Sequence, residues 1–312
     1  MEPIITLTTN PSVDVQWDVD AMAPEKKLRS SNPRQFPGGG GINVARVINT
    51  LGGLSICIFT AGWFTGHFLR ELVEHHGLLT RTIPIKDRTR VSSTVFDLAS
   101  GEEYRITPPG PELAEPEWRA CLNAPFELPA DYIVATGSLP RGVPVDFYAR
   151  IARRAKQEGR RIILDTSGES LVAALEEGVY MFKPNLRELE TLKGRTVGGE
   201  ADLAAACREL IGAGKAEIVA VSLGRDGAFL AWEGGSKTLR SPEVEVKSAV
   251  GAGDSFVGGM TVGLVRGLPL QDAFALGVAS GTATVLTAGS ELCHRADVER
   301  FYVQMTGTPL NL

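Results

Sequence analysis

The sequence predicts an α/β fold, with a mostly parallel central sheet, helices on both of its faces and a small extra β-sheet. Three observations predict it. Short buried-type strand runs alternate with helix-spaced runs along most of the 312 residues, the rhythm that builds parallel sheets. Two segments with period-two alternation interrupt that rhythm. Two glycine-rich stretches, 37–46 and 250–255, stand where a helix begins.

Residues 4–9 form a β-rich run. Over 41–51, Ile42, Val44, Ala45, Ile48 and Leu51 fall close to helical spacing, and the pattern stops at Gly52-Gly53. A second strand is expected at 54–60 and a second helix at 64–76. Further buried-type strands are expected at 132–136, 161–165, 179–182 and 218–223, with helices between them such as 146–158 and 201–213. Ligands of such sheets collect beyond the carboxyl ends of the strands.

The interruptions read differently. Val13, Val15, Trp17 and Val19 alternate with polar neighbours, and 91–106 does likewise around a hairpin signal at Ser100-Gly101. Both fit half-buried antiparallel strands too few for a core of their own. They predict a lid of residues 13–36 and 88–107 on a core of 1–12, 37–87 and 108–312. A thin flap with one apolar face needs something to cover it, so self-association through the lid is expected.

Composition narrows the function. Hydrophobic residues at 43% and charged residues at 22% are ordinary for a globular chain. A net charge of -5 argues against a nucleic-acid partner. No apolar run reaches the length of a membrane span, and the start, MEPIITLTTNP, lacks the pattern of a signal peptide, so the chain reads as cytoplasmic. Cys57, Cys121, Cys207 and Cys293 show no paired spacing and read as buried thiols. The histidines show no ligand spacing.

The segment Val250-Gly251-Ala252-Gly253-Asp254-Ser255 is the most informative. It is expected to follow an alternating strand at 244–247 and to open an apolar helix. Its glycines bare N–H groups at a helix start, a cradle for anionic oxygens, and Asp254 sits in the same turn. A base beside an anion cradle suits proton abstraction while charge builds on a phosphate.

The run Pro37-Gly38-Gly39-Gly40-Gly41-Ile42-Asn43 matches neither a phosphate-binding lysine loop nor a dinucleotide fingerprint. It reads as close backbone approach to a polar ligand, with the Asn43 amide offered to a hydroxyl. Asp14 lies beyond the first strand and reads as a loop carboxylate, either a turn residue or an acceptor for a sugar hydroxyl. Lys183-Pro184-Asn185-Leu186-Arg187-Glu188 opens a helix, either as a capped start or as a place for Asn185 and Glu188 near Mg²⁺. The turn 222–228 joins two strands and could shape a nucleotide pocket. Residues 137–142 end another strand and could hold a hydroxyl or phosphate.

These pieces, in this order and over essentially the whole chain, resemble the ribokinase–PfkB family of sugar kinases. Residues 6–8 and 11–14 resemble its sugar-phosphate branch, 37–46 its first signature, 165–169 and 183–185 its middle region, and 250–255 its second signature. Within it, the uninterrupted glycines, with Gly40 where other branches more often carry lysine, are similar to the 6-phosphofructokinase branch, as are 24–29 and 103–105. The resemblance implies a ribokinase-like fold, ATP and Mg²⁺, and phosphorylation of the C1 hydroxyl of fructose 6-phosphate. Two related activities remain alternatives, 1-phosphofructokinase and tagatose-6-phosphate kinase; a non-catalytic sugar-phosphate or nucleotide sensor is another.

By position the resemblance implies Asp254 as base and Gly251, Ala252 and Gly253 as the anion hole. It places Asp14, Gly38, Gly39 and Asn43 on sugar hydroxyls, and Lys27, Arg90 and Ser138 on the substrate's phosphate. Lys183, Asn185, Ser222, Gly224, Gly227, Ser248 and Val250 would serve ATP, with Glu188 and Asn185 near Mg²⁺ through water. The β-flap would be the family's lid, and lid-to-lid contact implies a homodimer. The chain departs from that branch at 282–289, where an asparagine is replaced and one residue added near the expected adenine.

Overall fold

In the first strand, β1 (Ile4–Thr8), Ile5 and Leu7 point to one face and Ile4 to the other, and all are buried. Strands covered on both faces need this near-continuous apolar character. The same division holds in β8 (Tyr132–Thr136) and β9 (Arg161–Asp165), where Ile133, Ala135, Ile162 and Leu164 oppose Val134 and Ile163. The computed structural model describes residues 3–310. The expected core range runs to both chain ends, and its residues 1, 2, 311 and 312 lie outside the described ones.

After β1 the chain enters a small sheet through β2 (Ser12–Val19) and β3 (Ser30–Gly38), then returns to the core in α1 (Gly40–Thr50). It continues through β4 (Ser55–Ala61), α2 (Trp63–His75) and β5 (Leu79–Pro84), then re-enters the small sheet as β6 (Arg90–Asp97) and β7 (Glu103–Ile106). The rest belongs to the core: α3 (Glu115–Asn123), β8, α4 (Phe147–Gln157), β9, α5 (Glu169–Glu177), β10 (Val179–Phe182), α6 (Leu186–Lys193), α7 (Gly199–Gly212), β11 (Ala216–Ser222), β12 (Ala228–Trp232), β13 (Gly235–Leu239), α8 (Ala252–Val265), α9 (Leu270–Thr284) and α10 (Arg295–Thr306).

The large sheet has nine strands in the order β13-β12-β11-β10-β9-β8-β1-β4-β5. All neighbours are parallel except β11–β12 and β12–β13. Helices α1, α8, α9 and α10 cover one face and α3, α4, α5 and α7 the other. The order reverses beside β1: the chain proceeds to β4 and β5 on one side, then to β8 and beyond on the other. Such a switch point opens a crevice at the strands' carboxyl ends.

The small sheet has the order β3-β2-β6-β7. The pairs β2–β3 and β6–β7 are antiparallel, the latter closing around Ser100-Gly101, but β2 and β6 run parallel. The expectation of purely antiparallel strands is corrected here. β2 follows the carboxyl end of β1 and β6 that of β5, strands that run parallel, so both leave the core from the same end of the sheet and head the same way, a geometry that alternation in one strand does not encode. The expected strand at 244–247 is also absent: 240–249 is irregular apart from Lys247, whose N–H donates to Val285 O (2.8 Å). Val244 is half-buried and Val246 is exposed, so their alternation marks no covered strand face.

Small residues bring α8 against α9. A Cβ on Gly259 would lie 2.7 Å from Leu276 O, and one on Gly263 would lie 2.7 Å from Ala273 Cα. Neither helix could approach the other so closely with larger residues there. This packing fixes the start of α8. No helix among the described residues is long and apolar enough to cross a membrane.

Candidate active site

The carboxyl ends of β1 and β8 carry polar groups without partners. Thr8 Oγ1, Thr9 Oγ1, Asn10 Oδ1 and Thr136 Oγ1 are buried and make no hydrogen bond. Buried polar atoms are rarely left so unless a ligand completes them. Nearby, Asn10 Nδ2 donates to Ser138 Oγ (3.2 Å), and the Arg90 guanidinium donates to Asn10 O (2.8 Å) and Pro108 O (3.3 Å). Arg90 Nε is buried and unpartnered. Arg90 and Ser138, far apart in sequence, therefore converge on Asn10.

The start of α8 faces this crevice. Gly251 caps it with φ 74°, ψ 0°, a left-handed conformation that glycine adopts without strain, and no side chain caps the helix. Ala252 N–H has a weak contact to Ala249 O (3.4 Å), and Ser255 N–H donates to Gly251 O. The N–H groups of Gly251, Gly253 and Asp254 have no acceptor in the described residues. Open amides at the positive end of a helix make an anion site.

Asp254 lies in that first turn. Its Oδ2 accepts from Asn43 Nδ2 (2.9 Å). Its Oδ1 lies 3.0 Å from where a Cβ on Gly40 would stand, and that Cβ would also strike Thr136. Only a glycine at position 40 leaves space between the carboxylate and the end of β8. The Asp254 pKa is pushed up to about 6, first by burial and then by the charge of Asp165; the Asn43 hydrogen bond and Lys183 act against this, and Asp14 adds to it. It is a carboxylate tuned toward the range of a general base.

Lys183 follows β10 and is buried, with Nζ 3.3 Å from Asp165 Oδ1. A Cβ on Gly253 would lie 3.4 Å from the same ammonium. Burial works to lower the Lys183 pKa, but Asp165 and Asp254 outweigh it and the net shift is upward. A fixed cation thus stands beside the open amides.

The small sheet supplies Asp14. The chain places it within β2 rather than in a loop after β1, correcting the expectation: the strand begins at Ser12, only a short turn beyond β1. Ser12 Oγ donates to Asp14 Oδ1 (2.6 Å). Any Cβ on Gly38 would overlap the Asp14 carboxylate, so Gly38 serves that side chain's seat. Burial raises the Asp14 pKa, against the Ser12 hydrogen bond and the charges of Arg90, Arg105 and Arg46. Gly39, with φ 126°, caps α1 and accepts from Asn43 N–H.

Asn43 was expected on a sugar hydroxyl. Its amide donates to Asp254 and accepts from Arg46 Nη1 (3.3 Å), which leaves one N–H for a ligand. Lys27 stands apart from Arg90. β2 and β6 pair from Ser12↔Arg90 to Val19↔Asp97, about 23 Å at ~3.3 Å per residue. Lys27 is exposed in the loop beyond the far end of β2.

On the other side of the cradle, Asn185 caps α6 in a capping box: its Oδ1 accepts from Glu188 N–H, and Glu188 Oε2 accepts from Asn185 N–H. Ser222 N–H donates to Pro184 O, which sets Ser222 beside Asn185. Leu223 N–H donates to Gly227 O and closes the turn that contains Gly224. Ser248 Oγ accepts from Val250 N–H (3.3 Å), holding the approach to α8. The stretch 282–289 ends α9 against this region, where Thr284 Oγ1 donates to Ser255 Oγ (2.7 Å).

Sequence reasoning gave no role to Asn10, Thr136, Asp165 or Arg105. Asn10, Thr136 and Asp165 sit at or just past strand ends, and the position of β1 beside the reversal would have singled out the first two. Arg105 had no such signal, because its nearness to Asp14 depends on β7 folding back along β6.

Comparison with known proteins places these features in a lineage. The profile of the pfkB family carbohydrate kinase matches residues 7–296. The ATP-dependent 6-phosphofructokinase isozyme 2 of Mycobacterium tuberculosis (strain ATCC 25618 / H37Rv) is 44% identical over 301 residues, covering 96% of this chain and 88% of that one. The protein of the same name from Escherichia coli (strain K12) is 40% identical over 308 residues, covering 98% and 100%. The crystal structure of phosphofructokinase-2 from Escherichia coli in complex with fructose-6-phosphate superposes with a TM-score of 0.93 at 39% identity, covering 98% of this chain and 100% of that one.

Proposed function

Because the chain belongs to the pfkB family of carbohydrate kinases, we propose that it transfers the γ-phosphoryl group of ATP to the C1 hydroxyl of fructose 6-phosphate, giving fructose 1,6-bisphosphate and ADP. One observation carries the reading: a carboxylate with its pKa raised to about 6 stands in the uncapped first turn of α8, beside the switch-point crevice. That combination serves a hydroxyl that must lose a proton as it attacks a phosphoryl group.

Asp254 takes the C1 proton on Oδ1, since Oδ2 is held by Asn43. The open amides of Gly251, Gly253 and Asp254, with Ala252 and the Lys183 ammonium beside them, stabilise the charge on the transferring group. The 6-phosphate is held by Arg90, through its unpartnered Nε, and by Ser138. Asp14 and the unpaired groups of Thr8, Asn10 and Thr136 take sugar hydroxyls. Gly38 and Gly39 act by leaving room for Asp14 and by starting α1. Ser222, Gly224, Gly227, Ser248 and Val250 shape the nucleotide side.

The residues present fit Mg²⁺. Glu188 commits Oε2 to the capping box and keeps Oε1 for a hydrated cation near Asn185, which suits an ion that retains water and is bound largely by phosphates. When bound, it supplies neutralisation of phosphate charge. The protein would work in the cytoplasm as a homodimer paired through its lids; Lys27 could then reach a phosphate only in the partner's site.

A coupled assay across fructose 6-phosphate, fructose 1-phosphate and tagatose 6-phosphate tests the reading. The highest kcat/KM is expected with fructose 6-phosphate. A higher value with either other sugar would reassign the substrate, and no ATP turnover with any of the three would leave a sensor.

A further inference from the structure

We propose that Arg46 is a positioning residue for phosphoryl transfer: by holding Asn43 Oδ1, it fixes which Asp254 oxygen is free to take the proton. The proposal rests on the kinase reading above. Arg46 lies on α1 and is buried. Its Nη1 donates to Asn43 Oδ1 (3.3 Å) and to Ser290 O (3.2 Å).

The two ends of an asparagine side chain have nearly the same shape, and their hydrogen-bond partners decide which way it faces. While Asp254 is ionised, it selects the NH₂ end by itself. Once it is protonated, that selection is lost: an O–H on Oδ2 could donate to a flipped Asn43 Oδ1. A guanidinium can only donate, so Arg46 keeps Oδ1 on its own side and leaves Asn43 Nδ2 facing Asp254 Oδ2. The proton from the C1 hydroxyl must then reside on Oδ1, the oxygen beside Gly40 and Thr136, while the hydroxyl oxygen bonds to phosphorus and the bond to ADP breaks.

Arg46 also joins this relay to the lid. Ser290, whose carbonyl it binds, accepts from Gln16 Nε2 on β2 (3.1 Å, buried). The guanidinium carbon stands 6.0 Å from the centre of the Phe36 ring on β3. Gly289 leaves room for Gln16, whose amide any Cβ there would strike. Burial lowers the Arg46 pKa to about 10, which still leaves it charged at neutral pH. The other charged groups acting on Asp254 are Asp165, Lys183 and Asp14, and the test leaves all three unchanged.

The test compares wild type with Arg46→Met, Arg46→Gln, Arg46→Lys, Asn43→Ala and the double variant Arg46→Met with Asn43→Ala, assayed with ATP and fructose 6-phosphate. Arg46→Met should lower kcat roughly 10–100-fold, the usual cost of losing a supporting partner behind a reactive group. Both KM values should stay within about threefold, the pattern of a lost transition-state contact. The acid limb of kcat/KM should move to higher pH, because the Asn43 hydrogen bond favours ionised Asp254. The double variant should be no slower than Asn43→Ala alone.

Arg46→Ala gives an independent readout. A cavity of ≈ 180 Å³, lined by Arg46, Asn49, His76 and Glu291, opens beside the guanidinium, so added guanidinium ion should restore part of kcat. An unchanged kcat, a loss confined to KM, or costs that multiply with Asn43→Ala would overturn the proposal. Should Arg46→Met fail to fold, Arg46→Gln decides: its amide can accept as well as donate, so it should lose kcat and shift the acid limb the same way, and wild-type kinetics in it would refute the assignment. Arg46→Lys remains donor-only and, since both contacts come from one nitrogen, should keep most of kcat. Absence of wild-type turnover would remove the kinase reading and this proposal together; normal wild-type turnover with unaffected Arg46 variants removes only the latter.

Discussion

β1 is buried at all five positions, while β7 is buried at none of its four. The large sheet is covered by helices on both faces; the outer strands of the small sheet are largely exposed. Asp254, Lys183 and the open amides belong to the first region, where close helix packing holds them. Asp14, Arg90 and Arg105 belong to the second, which rests on the core at its base. On the proposed function, the contrast puts the chemistry on a helix-packed frame and the grip on the sugar phosphate on a thinner, more exposed element.

Breaking the core side should cost most. Asp254→Asn should lower kcat by at least about 100-fold, the low end for removal of a base, while ATP still binds in a calorimetric titration. Near-wild-type turnover would defeat the base assignment. In wild type the ionised form is the active one, so kcat/KM should fall as pH drops through about 6. Sugar phosphates also titrate near pH ~6, which is why the shift in the Arg46→Met profile is the sharper reading. The stability sign is opposite. A carboxyl whose folded pKa is raised stabilises the fold at low pH, and that contribution is lost as pH rises through about 6. Asp254→Asn should therefore melt above wild type at pH 8, and the gain should vanish at pH 4.

The lid side should fail in binding instead. Arg90→Ala should raise KM for fructose 6-phosphate roughly 10–100-fold, the worth of a charge-assisted contact, with a smaller change in kcat. Unchanged KM would move the phosphate pocket elsewhere. On the outer face of the lid, Ile106 is 62% exposed and Tyr104 38%. Ile106→Glu should shift the sedimentation of a lid-paired dimer toward monomer and raise KM modestly. A dimer indifferent to the change would place its interface on another surface.

The smallest effect sharpens the packing side of the contrast. Gly259→Ala should destabilise by about 1–3 kcal/mol, the usual cost of overpacking, read from the urea midpoint. Since α8 carries the anion cradle, kcat should fall with it. Full stability in that variant would mean that α8 and α9 can part without loss.

The fold was legible because its strands are buried on both faces and its helices are spaced by their apolar residues. Residues 132–136, 161–165 and 179–182 could be bounded from sequence for that reason. Alternation deceived at 244–247, where an extended segment has no neighbouring strand. It also gave no direction for β2 against β6, because period two is the same in parallel and antiparallel pairs. The site was legible where local chemistry repeats the function, as in Gly251-Ala252-Gly253-Asp254. It was illegible where a group gains meaning from distant partners: Asn10 and Thr136 are ordinary polar residues until β1 and β8 become neighbours.

The sequence by itself determined the alternation of layers, the glycine-started helix with its carboxylate, and the two alternating segments that interrupt the layers. These depend on residue type and spacing over a few turns of chain. The tertiary structure alone decided that Asn43 answers to Asp254 and Arg46, that Gly38 makes room for Asp14, and that Lys27 stands at the far end of the lid from Arg90. Each depends on which strand ends and helix starts meet, and that is fixed by packing between segments up to 211 residues apart.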